Sequence, residues 1–474
     1  MTLRSPDSAR SLTSRPVIRL AVGSLQGTLL SLLTLAVVRH AAPFDRPEST
    51  LPVERLLLAL PVSFLLVWGR MRLQMIAVLL GIIAAITLAV SHHEIHQEPP
   101  SALSLPDRSL HHFLFHPLLF ILIALAVAAE SDRRLWPRYP RLFEAAWDLA
   151  VLLALAALFI VLSWGVLWLM AALFAVIGLH GFVRLLGKPW IWPLMNCAAF
   201  SATIAFCIEG DWLVAGARRL ALALFGLLLP ILSGLTAVFL VSLIFVPLSR
   251  LWSTHHSGLL LTLSALLLIL LLNAVYQDGR GPTATPMRLA GRLAAIEILP
   301  LVILAVAALA LRVHDHGWSV ERVVSAGGFS ILVLYGLGYF GAALAPGRWL
   351  CIIEPVNVGT AVWTILVIVS LLTSVADPSR ISVASQVARL RSGAIPAEKF
   401  DYAFLAREGG RYGRAALASL VDHPPPKDAA SVHDRAVAAL SGITRPDGRP
   451  TPSDLAARIS VHPTGAILPK DLLS

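Results

Sequence analysis

Charge is what this sequence has least of. Asp, Glu, Lys and Arg together make up 14% of its 474 residues, whereas soluble domains carry about a quarter. That scarcity excludes an ordinary soluble enzyme or binding domain for most of the chain. Cysteine is scarce too, with three residues in all. Cys197 and Cys207 fall on one expected helix, roughly 15 Å apart at helical rise, which is too far to bridge. Cys351 stands alone, so neither a disulfide framework nor a zinc spacing is present. The alternating short strands of an outer-membrane barrel are missing. So are a Gly-rich phosphate loop, a Ser-x-x-Lys pair and a Gly-x-Ser-x-Gly elbow. Nothing supports a nucleotide-driven pump, and no cofactor is implied.

Apolar residues fill the chain instead. They make up 57% of it, with a mean hydropathy of +0.76. Uncharged runs such as 220–249 exceed the length that a bilayer span needs. Apolar segments fall near 16–38, 54–69, 73–91, 113–129, 146–178, 191–208, 220–248, 258–276, 293–312, 323–345 and 352–375. The fold class is therefore all-α, a polytopic transmembrane helical bundle of about 11 spans with a small C-terminal helical cap. Segment 146–178 is long for one helix and short for two, so 12 spans is the alternative.

Arg4, Arg10, Arg15 and Arg19 precede the first apolar run. That is a signal-sequence layout, but "VVRHAAP" offers no clear cleavage site, and the run reads as an uncleaved first span. The net charge of +10 falls mainly in short connections, as positive-inside topology requires, and does not imply nucleic acid. The strongest inside signal is "SDRRLWPRYPR", 131–141. Arg and Lys in the connections favour eleven spans, with the N-terminus cytoplasmic and the C-terminus periplasmic. The domains expected are an N-terminal tail over 1–15, a membrane domain over 16–376, a helical cap over 377–422 and a tail with short helices over 423–474. In the tenth span Gly338, Ala342 and Ala345 form a small-residue stripe suited to close helix packing. Pro230 and Pro300 are expected to kink their helices. No internal repeat is visible, so the inverted-repeat signature of many transporters is missing.

Several motifs carry a resemblance. "RLAVGSLQG" (19–27) with Gly23, Gln26 and Gly27, the Tyr-x-x-Leu-Phe-x-x-Ala-Trp pattern opening at Tyr139, "LLLNAVYQDG" (270–279) and above all "DPSRISVASQVARLRSGAIPAEKFDYAFLAREGGRYGRAAL" (377–417) stand in this chain. With them it resembles the bacterial inner-membrane proteins grouped as domain-of-unknown-function family 4153, over about residues 19–420. The resemblance implies an inner-membrane location and this topology class, and it transfers no catalytic residue.

Three sets of residues could carry chemistry. Gln26, Asp148, Glu209, Asn273, Glu297, Glu354 and Asn357 are polar groups within spans, toward the expected inner ends. Such groups are costly in lipid and mark pathways or partners, and Glu354-Pro355 and Glu297 with Pro300 suggest broken helices lining a path. The bland alternative is anchoring at headgroup level. Arg407, Arg411 and Arg414 with Tyr412 in "DYAFLAREGGRYGRAAL" (401–417) could clamp an anionic headgroup, which makes membrane lipids the expected partner. The alternative is a helix–Gly-Gly–helix hairpin packed through Phe404, Leu405 and Leu417. Finally, His92, His93, His96, His111 and His112 cluster around one expected outside loop, with ligands suited to zinc, copper or nickel. Interfacial histidines without a ligand are the simpler reading. These features support a transport or channel-like role first. An envelope sensor or scaffold acting through the cap and the His-rich loop comes second, and a membrane-embedded enzyme third.

Overall fold

The computed structural model describes residues 6–44, 46–97, 109–209, 211–246, 257–279 and 284–443. In the membrane part these residues form twelve helices: α1 (Pro6–Val38), α2 (Pro47–Val67), α3 (Leu73–Gln97), α4 (Ser109–Asp132), α5 (Tyr139–Val176), α6 (Gly181–Leu186), α7 (Ile191–Glu209), α8 (Asp211–Phe245), α9 (Ser257–Tyr276), α10 (Thr285–His316), α11 (Val320–Leu344) and α12 (Ile353–Leu371). Four more follow: α13 (Pro378–Arg391), α14 (Tyr402–Arg407), α15 (Gly410–Asp422) and α16 (Ala429–Ile443). All of the first twelve except α6 are long and apolar enough to cross a bilayer, eleven in all among the described residues. A helix satisfies its own backbone in lipid, so apolar runs of this length have little alternative. The protein is an all-α polytopic membrane protein.

The ambiguous fifth segment is one continuous helix of 38 residues. At helical rise it measures about 57 Å, well beyond the roughly 30 Å hydrocarbon core. Its polar start at Tyr139–Asp148 accounts for about 15 Å of that length. Gly165 costs some helix propensity without reversing the chain. Just past the helix end, Gly178 turns the chain with a φ of +86°, which suits glycine. Helices α8 and α10 run unbroken through Pro230 and Pro300.

The chain divides into two compact units, Met1–Ile381 and Ser382–Ser474. In the first, α1 packs on α7 and α2, α2 on α3, and α4 on α5. Farther along the chain, α8, α9, α10 and α11 pack on one another in sequence, α10 also meets α8, and α12 joins α11 to α4 and α5. Span α10 is the most enclosed and α8 the least. The outward surface is apolar, for example Leu227, Leu235 and Val238 on α8, as lipid contact requires.

Small residues set the closest approaches. A Cβ on Gly23 would lie 2.2 Å from the Ser201 side chain, and one on Gly27 would lie 3.1 Å from Leu194 Cα. These two glycines are what let α1 lie against α7. Gly338 of the expected stripe faces Val356 on α12, while Gly336, two residues earlier, meets Leu299 on α10.

In the second unit, α14, α15 and α16 pack around Leu405, Leu417, Leu420, Val432 and Ala436. Helix α16, assigned from the sequence to the tail over 423–474, thus contributes to this core. Leu405 and Leu417 are fully buried, whereas Phe404 is only half-buried. The glycines of "EGGRYGR" have steric duties. A Cβ on Gly413 would fall 2.0 Å from the Leu405 carbonyl oxygen, and one on Gly409 would fall 2.7 Å from Gly413 Cα.

Candidate functional site

Polar side chains collect at both ends of the spans in the first unit. One end holds the start of α1 and the end of α2, where Arg19 donates to the Trp68 carbonyl at 2.8 Å. Arg72 and Glu130 pair there at 2.6 Å between α3 and α4. Asp148 on α5 accepts from Arg218 on α8 at 2.7 Å. Each pair joins helix ends that an alternating eleven-span topology puts on one side.

Four spans meet through polar side chains at this end. Tyr139 opens α5, Asn273 and Tyr276 close α9, Tyr339 lies near the end of α11, and Asn357 sits in the first turns of α12. The Tyr139 hydroxyl donates to Asn273 Oδ1 at 2.9 Å. Asn273 Nδ2 donates to the Tyr339 hydroxyl at 2.7 Å, and Tyr339 donates to Asn357 Oδ1 at 3.1 Å. Asn357 Nδ2 closes the ring on Asn273 Oδ1 at 3.0 Å. The two amides also donate to Ile269 and Ile353 carbonyls one helical turn back. Every amide and hydroxyl in this ring is satisfied although its members are buried or nearly so. Buried polar networks carry their cost only on that condition.

Above the ring lies an open cleft of about 300 Å³ lined by Arg134, Trp136, Arg138, Tyr139, Asp278, Arg348 and Glu354. Tyr276 connects the two levels. Its hydroxyl donates to Glu354 at 2.9 Å, and its ring lies 5.9 Å from that of Tyr139 and 5.7 Å from that of Trp349. Arg348 pairs with Glu354. Among the described residues neither Arg134 nor Arg138 forms an ion pair, and both side chains are exposed. Arg138 is also the N-cap residue of α5, where the helix dipole adds positive potential. The cleft can therefore hold an anion, with aromatic faces beside it.

The structure brings together three of the polar span residues expected from sequence, Asn273, Glu354 and Asn357. It leaves the others elsewhere. Gln26 donates to the Leu57 carbonyl at 2.9 Å and latches α1 to α2. Asp148 is spent on Arg218. Glu297 is 2% exposed in mid-α10, does not line the cleft, and neither carboxylate oxygen has a hydrogen-bond partner. The side chain of Glu209 lies outside the described residues. Sequence reasoning missed Tyr139, Tyr276, Tyr339 and Arg348 as site residues, and read Arg134 and Arg138 only as topology signals. Tyr139 and Asn273 were visible as motif residues. Their direct contact, 134 positions apart, was not.

At the opposite end of α3, Arg55 and Glu94 form an ion pair with side chains 5% and 2% exposed, and Arg55 also reaches Ser91 at 3.4 Å. No sequence signal pointed to it. Beside it His93 contacts Asp377 at 3.1 Å, and Gln97 bonds the same carboxylate. Asp377 also accepts from the backbone N–H groups of Ser379 and Arg380, capping α13. Burial pushes the Asp377 carboxyl up, but His93 and those two N–H groups outweigh it and hold the carboxyl below its usual range. The His92 and His96 rings lie 4.1 Å apart, tilted by 42°. His111 and His112 lie on α4 with side chains outside the described residues. Among the described residues no three His, Cys, Asp or Glu side chains converge as a metal set.

In the second unit Arg411 donates to the Tyr412 hydroxyl at 2.6 Å and lies over its ring. Arg407 is exposed at the end of α14, and Arg414 is half-buried on α15. No protein family, curated protein or solved structure matches this chain.

Proposed function

We propose that this integral membrane protein moves a small anionic solute, through a path between α5, α9, α11 and α12 entered from the arginine-lined cleft. The observation that supports this most is the buried polar ring. It continues the cleft inward between four spans, where apolar packing would serve a purely structural bundle as well. Arg134 and Arg138 supply guanidinium forks for a carboxylate or phosphate group, and the ring offers amide and hydroxyl partners as hydration is shed.

We assign the arginine-rich end to the cytoplasmic side by the positive-inside rule and the protein to the bacterial inner membrane by its resemblance to family 4153. An odd number of spans then carries Asp377 and the second unit to the periplasmic side. The sensor reading has one observation in its favour, the His93–Asp377 contact that joins α3 to the cap of α13.

The test is uptake of phosphate, acetate and glutamate into proteoliposomes. Asn273→Leu and Asn357→Leu should abolish the uptake of whichever anion is carried, and Arg134→Gln with Arg138→Gln should weaken it. Uptake no greater than in protein-free liposomes for all three anions, or full activity in both ring variants, refutes the reading.

A further inference from the structure

Glu297 lies outside the cleft and outside every ion pair described above. It sits in the middle of the most enclosed span, beside Ala294, Ala295, Ile298 and Leu301 of its own helix, all buried. Three helices pack on α10: α8, α9 and α11. The titratable or charged residues they carry are few. Helix α8 has Asp211, Arg218 and Arg219 in its first turns and none from Leu220 to Phe245; α9 has only Tyr276; α11 has Glu321, Arg322, Tyr335 and Tyr339. On α10 itself the nearest cation, Arg292, is exposed. None of these reaches the Glu297 carboxylate, whose two oxygens are both unpartnered.

An ionised carboxylate without a partner in such surroundings is prohibitively costly, and the group takes up a proton instead. Two further features mark this as a built position. Pro300, three residues on, lacks an N–H, so the Ile296 carbonyl loses its helical donor. Facing helix α8 has the same combination, with Pro230 followed three residues later by Ser233, which is 1% exposed and also without a partner. Two packed helices thus each carry an interior proline and, three residues from it, a buried and orphaned polar group.

We propose that Glu297 is a proton-binding site of the membrane domain, holding its proton at neutral pH and releasing it only when α8 and α10 admit water or a polar partner. As the coupling site of a transporter this rests on the transport reading; as a proton site it stands without it. A lone carboxylate suits a proton better than a hard monovalent cation, which needs several oxygen ligands.

The experiment is infrared spectroscopy of the full-length protein in liposomes, subtracting Glu297→Gln from wild type. An ordinary Glu with a pKa of about 4.3 is protonated in roughly one molecule in 500 at pH 7. The proposal expects most molecules to show the free carboxylic C=O band at pH 7, and the band to vanish only in alkali. Should Glu297→Gln fail to fold, Glu297→Asp must shift the same band. A carboxylate signature at pH 7 overturns the proposal, as does loss of the band on adding sodium, which would make the position a cation site. Anion uptake that fails while the band persists refutes the transport reading and leaves the proton site standing.

Discussion

The buried Arg55–Glu94 pair makes a sharp energetic prediction. Both side chains are almost fully enclosed, so neither charge can return to water when its partner is removed. Glu94→Ala leaves a guanidinium buried with only the weak Ser91 contact at 3.4 Å. Breaking a buried pair in this way costs about 3–5 kcal/mol. Replacing both partners by apolar residues of similar volume, Arg55→Met with Glu94→Leu, removes the desolvation cost along with the attraction and should lie within about 1 kcal/mol of wild type. Cys207 supplies the assay. It is 2% exposed and becomes reactive to a thiol-specific fluorophore on unfolding, above a background from Cys197 and Cys351. Thermal midpoints in detergent should rank wild type and double variant together, with both single variants well below. If the double variant falls as far as the sum of the singles, the two charges act independently and the pairing argument is wrong.

In the second unit, Leu417→Ala should cost about 2–5 kcal/mol, whereas Arg411→Ala should cost under about 1 kcal/mol; urea titration of the purified protein separates them. Gly413→Ala should destabilise as much as Leu417→Ala, because the new methyl overlaps the Leu405 carbonyl. The depressed Asp377 carboxyl predicts a pH dependence. Its contribution is complete above the unfolded value of about 3.9 and is lost as pH falls through the lower folded value. The midpoint difference between wild type and Asp377→Asn should therefore be widest near neutrality and close in acid. Reporter fusions at Arg138 and Thr285 should report cytoplasm and a fusion after Leu420 periplasm; the same side for all three would contradict eleven spans.

Much of the architecture was legible in the linear chain. Hydrocarbon leaves a backbone no partner but itself, so an apolar run of about 20 residues reads directly as a span, and ten of the eleven were legible in that way. The fifth was ambiguous because its apolar run, 146–178, exceeds the roughly 20 residues of one span without reaching the length of two. The glycines of "RLAVGSLQG" and "EGGRYGR" could be seen as motif, but their function depends on which neighbour lies within a Cβ radius, and only packing decides that.

The candidate site divides along the same line. Polar residues in spans announce themselves by their cost, and Asn273, Glu354 and Asn357 were recognisable for that reason. Whether such a group is latched, paired, networked or left alone depends on helix rotation and on contacts between residues far apart in the chain, such as Tyr139 with Asn273. The tertiary structure alone made Gln26 a latch and Asp148 an ion-pair partner, drew three tyrosines into the ring and its link to the cleft, and left Glu297 isolated. A lone sequence specifies how much each polar group must find a partner, but not which partner the fold brings to it.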